Sequence, residues 1–396
     1  MIPPPRAAEA DCAVTLGGED RAALRRAVAQ VGRAYGMPYF LEQVRAGERC
    51  AELWADLGRC GFTGVHLPEA YGGGGAGITE LCVVAEEVAA HGCPLLMFMV
   101  SSAVCGTILA RYGTEEQKRR WLPGIADGSA TMAFALTEAD AGSNSNRITT
   151  TARPDRGDWL LSGGKVFTSG VDTAAAVMVV ARAELPSGGL GPGLFVVDRD
   201  APGLTWRPIP MDVALAEEQH VLFLDDVRVP RGARVTDGEG GLKPLFAGLN
   251  PERLVGASLA NGVGTLALRR AVEYACGRTV WDVPIGAHQG IAHPLARAAI
   301  DVELARLMAA RAAALYDLGR HKAAGEAANM AKYAAAEASA RTVDEVLRVF
   351  GGNGMCSEYG VAPLLGLSRV IRAAPVSQEM ILNHVAHGML GLPKSY

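Results

Sequence analysis

The chain has no basic block. Its 38 Lys and Arg stand against 42 Asp and Glu, for a net charge of −4. That balance offers little to a phosphate backbone or an acidic membrane surface, so nucleic acid and membranes are excluded as expected partners. Paired cysteines are lacking too. Cys12, Cys50, Cys60, Cys82, Cys93, Cys105, Cys276 and Cys356 are scattered, with no C-x-x-C spacing. This is the pattern of free thiols in a reducing cytoplasm, not of a disulfide framework, and no metal site is expected. Met1-Ile2-Pro3-Pro4-Pro5-Arg6 lacks the apolar core of a signal peptide and reads as a frayed tail. There is no internal repeat and no low-complexity segment.

One apolar stretch is long enough to need a ruling. Gly92 to Ala110 carries no charge, which is the length of a membrane span. Pro94 stands at its start, Ser101, Ser102, Gly106 and Thr107 interrupt it, and no basic cluster flanks it. A helix buried on all sides gives the same pattern, and that is the expectation here.

At 396 residues and 49% apolar composition, the chain has room for two or three domains. Helical spacing of apolar residues marks Glu19–Val31, Leu41–Leu57 and Ile78–Ala90. Thr114 is a good N-cap for a helix with acids in its first turn, ending near Pro123. After Ser129 short β-rich runs alternate with turns: Thr131–Leu136, Trp159–Ser162, Ala175–Ala183, Gly193–Val197, Leu204–Arg207, Val221–Phe223 and Val227–Val229. No helices separate these runs, which excludes a parallel dinucleotide-binding sheet and favours a small antiparallel sheet or barrel. Beyond about residue 240 the text is helical again. Gly262-Val263-Gly264 falls inside such a helix, so these are packing glycines, not a phosphate loop. The expectation is an α+β multidomain chain: helices over 1–130, a β domain over 131–240 and a helical bundle over 241–396.

Two stretches carry the functional signal. Phe134-Ala-Leu-Thr-Glu-Ala-Asp-Ala-Gly-Ser143-Asn144 is a strand that runs into hydroxyls and small residues. Gly163-Gly-Lys165-Val-Phe167-Thr-Ser169 follows shortly after. Taken alone, a strand ending in such a loop mostly satisfies its own backbone. Together the two resemble the flavin-binding segments of the acyl-CoA dehydrogenase family, at Phe134, Thr137, Glu138, Ala141, Gly142, Ser143, Gly163, Lys165, Phe167 and Ser169. Further matches are Gly-Thr114-Glu-Glu-Gln-Lys, Leu224–Pro230, Arg278-Thr-Val-Trp281 with His288-Gln289, and Phe350-Gly351-Gly352-Asn353-Gly354. The departures are Asn144 for Asp, Leu224 for Phe, Arg348 for Gln, and Gly366-Leu367 for an Arg-Asp pair, so one stabilising ion pair is lost or moved. The resemblance covers about 110–396 well and the first helices loosely.

The resemblance implies a helical N-terminal domain, a middle β-barrel domain and a C-terminal bundle. It implies FAD, held by Phe134, Leu136, Thr137, Gly142, Ser143, Phe167, Thr168, Ser169, Arg278, Trp281, Gln289, Arg348, Gly351, Gly352, Ser377 and Glu379. It also implies a homo-oligomer, dimer or tetramer, because the Gly-Gly segment approaches the dinucleotide of a neighbouring copy. The implied substrate is an acyl thioester on CoA or a carrier protein, and the electron acceptor an electron-transfer flavoprotein or the like.

The family's base is a carboxylate at one of two sequence positions. The C-terminal one falls on Pro375, which closes that option. The other falls on Glu252 in Asn250-Pro251-Glu252-Arg253. There Asn250 reads as an N-cap, Pro251 as the first helical residue and Glu252 as a first-turn acid. An acid there often only complements the helix dipole. The resemblance makes Glu252 the base, with Arg253, Asn250 and Ser143 near the substrate and Glu379 the weaker candidate. Two other readings stay open: an oxidase or monooxygenase on the same fold, and a non-catalytic flavin-binding subunit.

Overall fold

The computed structural model describes residues 18–184, 189–236 and 243–394. Cys12 and the expected tail at 1–6 lie outside them. The chain divides into two compact units that cut across sequence order. One, here the β-unit, takes residues 47–76 and 95–252. The other, the helical unit, takes the chain up to Ala46, Gly77–Pro94 and everything from Arg253.

The β-unit begins with α2 (Ala51–Arg59). It continues through a π-helical stretch Phe98–Gly106, α4 (Thr107–Tyr112) and α5 (Glu115–Ala126). Residues 92–109 are buried without exception, the buried-helix outcome. No helix among the described residues is long and apolar enough to cross a membrane. Thr114 caps α5 as expected: its side chain accepts from Gln117 N at 3.2 Å, and Gln117 Oε1 accepts from Thr114 N at 3.0 Å. Pro123 does not end that helix, which runs to Ala126. A proline inside a helix removes one N–H but does not stop the next turn when its apolar face is buried, as Leu122 and Ile125 are.

The sheet is made of β1 (Met132–Ala135), β2 (Thr151–Asp155), β3 (Asp158–Ser169), β4 (Ala176–Glu184), β5 (Leu190–Asp198), β6 (Leu204–Ile209) and β7 (Gln219–Val229). β4 pairs along one edge with β5, antiparallel, and along the other with β1 and then β2, both parallel. The sheet continues β2-β3-β7-β6 in antiparallel register. The expected antiparallel sheet thus carries two parallel ladders. β2 was not legible in the sequence, since Pro154 demotes it. The runs 221–223 and 227–229 are one strand: Asp226, at φ 45°, sits in a bulge opposite Leu161–Gly163, where Ser162 Oγ donates to its carboxylate at 2.5 Å. A second bulge lies in β3 itself, where Val166 and Phe167 stand opposite Val221, and it puts Phe167 at φ 54°. Each bulge adds local twist and curls the sheet.

The helical unit holds α1 (Glu19–Ala46) and α3 (Ile78–Ala90). After most of α6 (Lys243–Gly277) come α7 (Gln289–Asp317), α8 (His321–Phe350), α9 (Pro363–Ala373) and α10 (Gln378–His384). The expected helix over 41–57 is broken: Gly47, at φ 70°, stops α1 and a new helix starts at Ala51. Gly262 is the packing glycine anticipated above, since a Cβ there would lie 2.4 Å from the Glu86 carbonyl oxygen. Ion pairs Arg369–Asp344 at 2.7 Å and Arg372–Glu337 at 2.8 Å hold α9 to α8.

Candidate active site

In the β-unit, the loop after β1 is locked to β3 by a buried ion pair that the motif match marked without a role. Lys165 Nζ, with a side chain 0% exposed, donates to Glu138 Oε1 at 2.8 Å and to the Leu136 carbonyl at 3.0 Å. The Glu138 carboxylate also accepts from Thr149 N and Oγ1 and from Thr150 N, at 2.6 to 2.9 Å. Burial alone would raise its pKa. The donors, Lys165 first, outweigh that and hold the carboxyl down at about 2. Burial in turn pulls the Lys165 ammonium down, and Glu138 opposes it. Val166 N completes the lock by donating to the Thr137 carbonyl at 2.9 Å.

The implied cofactor residues of this unit stand on that frame. Phe134 and Leu136 are half-buried and pack on the core. Thr137 is half-buried, and Gly142 and Ser143 are exposed. The bulge turns the Phe167 ring outward, 60% exposed. A non-glycine residue at positive φ stores strain, and such residues cluster at functional sites. Next to it, Thr168 Oγ1 is buried with no hydrogen-bond partner, and Ser169 Oγ donates to Gln219 Oε1 at 3.0 Å. An exposed ring beside an orphaned hydroxyl fits a planar ligand with polar edge atoms.

The expected helix start at Asn250 is overturned. α6 already runs from Lys243, so Asn250 caps nothing and Pro251 lies inside the helix. The upstream turns form because Leu245 and Ala247 are buried, which outweighs the local start signal. Glu252 is therefore not a first-turn acid of its own helix. It is half-buried, and Asn250 is 9% exposed. Its negative charge is felt at Cys105 in the uncharged wall, where burial first and Glu252 second push the thiol well up.

In the helical unit, two distant motifs meet at one cavity of about 330 Å³. Arg278, just past α6, and Gly351 and Gly352, at the end of α8, line it together with Tyr274, Phe350 and Asn353. Tyr274 and Phe350 stack at 4.1 Å, and Asn353 Nδ2 donates to Tyr274 Oη at 2.9 Å. Gly351 ends α8 as expected, but at φ 57° and ψ −135°, a positive-φ conformation open to glycine and not the left-handed helical cap. Trp281 and Asp282, at φ 49° and 65°, form the two-residue tip of the hairpin β8 (Thr279–Val280) and β9 (Val283–Pro284). The Trp281 ring is 84% exposed. Trp281, Gln289 and Arg348 are not among the lining residues. Gln289 is exposed at the start of α7, and Arg348 pairs with Glu345 at 2.6 Å.

Around Arg253, 9% exposed, the structure adds a residue that sequence reading missed. Lys332 is fully buried, and its Nζ donates to the carbonyls of Arg372, at 3.1 Å, and Val376. Burial lowers its pKa to about 8, with the charge of Glu379 opposing and those of Arg253 and Arg372 adding. A lone Lys in an Ala-rich helix reads as a solvated face, so no sequence signal exposed it. Ser377 caps α10, accepting from Met380 N at 3.3 Å, and Glu379 lies exposed in its first turn.

Comparison with known proteins decides the family. Three models match in order: acyl-CoA dehydrogenase, N-terminal domain, at residues 18–129; middle domain, at 133–227; and C-terminal domain, at 239–390. The chain belongs to the acyl-CoA dehydrogenase family. It is an oxidoreductase of the flavoprotein type acting on CH–CH groups, the class to which that family belongs. The acyl-CoA dehydrogenase FadE12 of Mycobacterium tuberculosis is 57% identical over 382 residues, covering 96% of this chain and 98% of that protein. A solved glutaryl-CoA dehydrogenase in complex with glutaryl-CoA superposes with a TM-score of 0.90 at 28% identity, covering 96% and 97% of the two chains. A glutaryl-CoA dehydrogenase of Mycobacterium smegmatis in complex with FADH2 gives 0.88 at 26%, with the same coverage.

Proposed function

We propose that the chain dehydrogenates an acyl-CoA between its α and β carbons, with Glu252 as the base that takes the α-proton. The observation that supports Glu252 is its place. It is the half-buried carboxylate whose charge reaches Cys105 in a wall, residues 92–109, that carries no charge. Arg253 and Asn250, both nearly buried, orient the thioester, with Ser143 on the exposed loop. The cysteine beside Glu252 is held as a neutral thiol and does not compete for the proton.

FAD is the family's cofactor, and the residues present fit it. The β-unit offers Phe134, Leu136, Thr137, Gly142, Ser143, Phe167, Thr168 and Ser169, where the outward ring and the orphaned Thr168 hydroxyl suit a flavin edge. The helical unit offers Arg278, Gly351 and Gly352 around one cavity, with Trp281, Gln289, Arg348, Ser377 and Glu379 as further contacts. Arginine and glycine backbone together suit a pyrophosphate. Bound FAD supplies the acceptor for the hydride that leaves the β-carbon. The chain works as a homo-oligomer, dimer or tetramer, and passes electrons to an electron-transfer flavoprotein or similar acceptor.

The test of the base is exchange of the α-proton in heavy water, using an acyl-CoA analogue that cannot lose a β-hydride. The wild type incorporates deuterium at the α-carbon, and Glu252→Gln slows this by at least about 10²-fold. Undiminished exchange in that variant rejects Glu252.

A further inference from the structure

Within the β-unit, two segments far apart in the chain bring three ligating groups to one point. Asp172 comes from the turn after β3; Glu218 immediately precedes β7 and His220 lies in its second position. One ligand atom from each lies within 4.8 Å of the other two. His220 Nε2 is 4.0 Å from Asp172 Oδ1 and 3.4 Å from Glu218 Oε2. Both separations are long for a hydrogen bond to an imidazole. The Glu218 separation is near the ~3.3 Å that separates two ligands of one tetrahedral zinc ion, each ~2.0 Å from the metal; the Asp172 carboxylate, on its turn, has to swing closer for a cation to bind all three.

The hydrogen-bond accounting points the same way. His220 is 1% exposed, its Nδ1 has no partner, and its Nε2 faces the two carboxylates. Asp172 Oδ1 is likewise buried and without a partner. Arg199 donates to the Asp172 backbone carbonyl at 3.0 Å, not to its carboxylate. Asp172 Oδ1, which faces His220 Nε2, is the buried unpartnered atom at this point, and it costs stability unless something such as a cation fills its coordination. Asp172 and Glu218 also line a cavity of about 500 Å³, with Arg49, Trp54, Thr131 and Glu217. It gives an ion a path in and room for a fourth, water, ligand.

We propose that Asp172, Glu218 and His220 form a divalent-cation site of zinc type. One imidazole nitrogen with two carboxylate oxygens favours zinc or a similar borderline cation over magnesium or calcium, which take oxygen ligands alone. The site takes no part in dehydrogenation and does not depend on Glu252. Its effect is a clamp. Gly170 N already donates to the Glu218 carbonyl at 2.9 Å, and Ser169 Oγ to Gln219. A cation there ties the end of the Phe167–Ser169 bulge to the start of β7.

The experiment uses the FAD-loaded full chain, stripped with a chelator. Zn²⁺ is titrated by calorimetry, and Co²⁺ by its visible absorption. One equivalent is expected to bind, with a rise in thermal midpoint, and Asp172→Asn and His220→Gln should each weaken binding by at least about tenfold. Glu184→Gln, a carboxylate outside the cluster, leaves binding unchanged. If His220→Gln fails to fold, Asp172→Asn on the turn carries the test. The absence of a stoichiometric site, or binding untouched by Asp172→Asn, overturns the proposal.

Discussion

Glu138 and Lys165 are 27 positions apart, and nothing local says that they meet. The motif marked both, but only the fold shows why: they are the frame that locks the loop after β1 to β3. Breaking a buried pair strands the other charge, so Lys165→Met should cost about 3–5 kcal/mol in denaturant unfolding. Replacing both, as Glu138→Gln with Lys165→Met, should recover part of that loss. The pH dependence follows from the same pair. Glu138 sits at about 2 in the folded chain against an ordinary 4.5. Its contribution is complete above about pH 5 and is lost as pH falls towards 2. Acid unfolding of the double variant should therefore be shallower across that window; an unchanged acid limb would contradict the assignment. Lys332 was illegible for the opposite reason: its chemistry is all backbone carbonyls, one from a different helix and one from the turn after it.

Among the elements, long periodic helices such as Ile78–Ala90 were legible to the residue. Errors arose where a local signal met tertiary packing. Asn250-Pro251-Glu252 reads as a helix start, yet α6 passes through it because the preceding turn has a buried face. Asp225-Asp226 reads as a turn, yet it is a bulge inside β7. Gly262 shows the converse case, where context in the sequence was enough to dismiss a phosphate loop. A side chain at 262 would meet the Glu86 carbonyl and Ala89, so Gly262→Val should destabilise by about 1–3 kcal/mol in thermal or denaturant unfolding. A neutral result would mean that α3 and α6 can separate without cost. At the end of α8, Gly351 holds φ 57°. Gly351→Val should strain that turn, reshape the cavity with Arg278, and lower retention of FAD on gel filtration by at least about tenfold.

For the whole molecule, the order helices, sheet, helices was legible from the change of hydrophobic period alone. The resemblance supplied the curl of the sheet, which depends on two bulges that no periodicity reveals. The convergence of Asp172, Glu218 and His220 was invisible, because the chain brings them together only by returning along β7. Glu252 stands in between: the motif named it, the expected helix start was mistaken, and its setting beside Cys105 emerged from the fold. The measurement that bears most directly on the account is an anaerobic titration of the FAD-loaded protein with a panel of acyl-CoA thioesters, following the flavin band at about 450 nm. The account predicts bleaching by at least one thioester, abolished in Glu252→Gln and retained in Glu379→Gln. A flavin that binds but bleaches with no thioester, or that bleaches equally in Glu252→Gln, would contradict it.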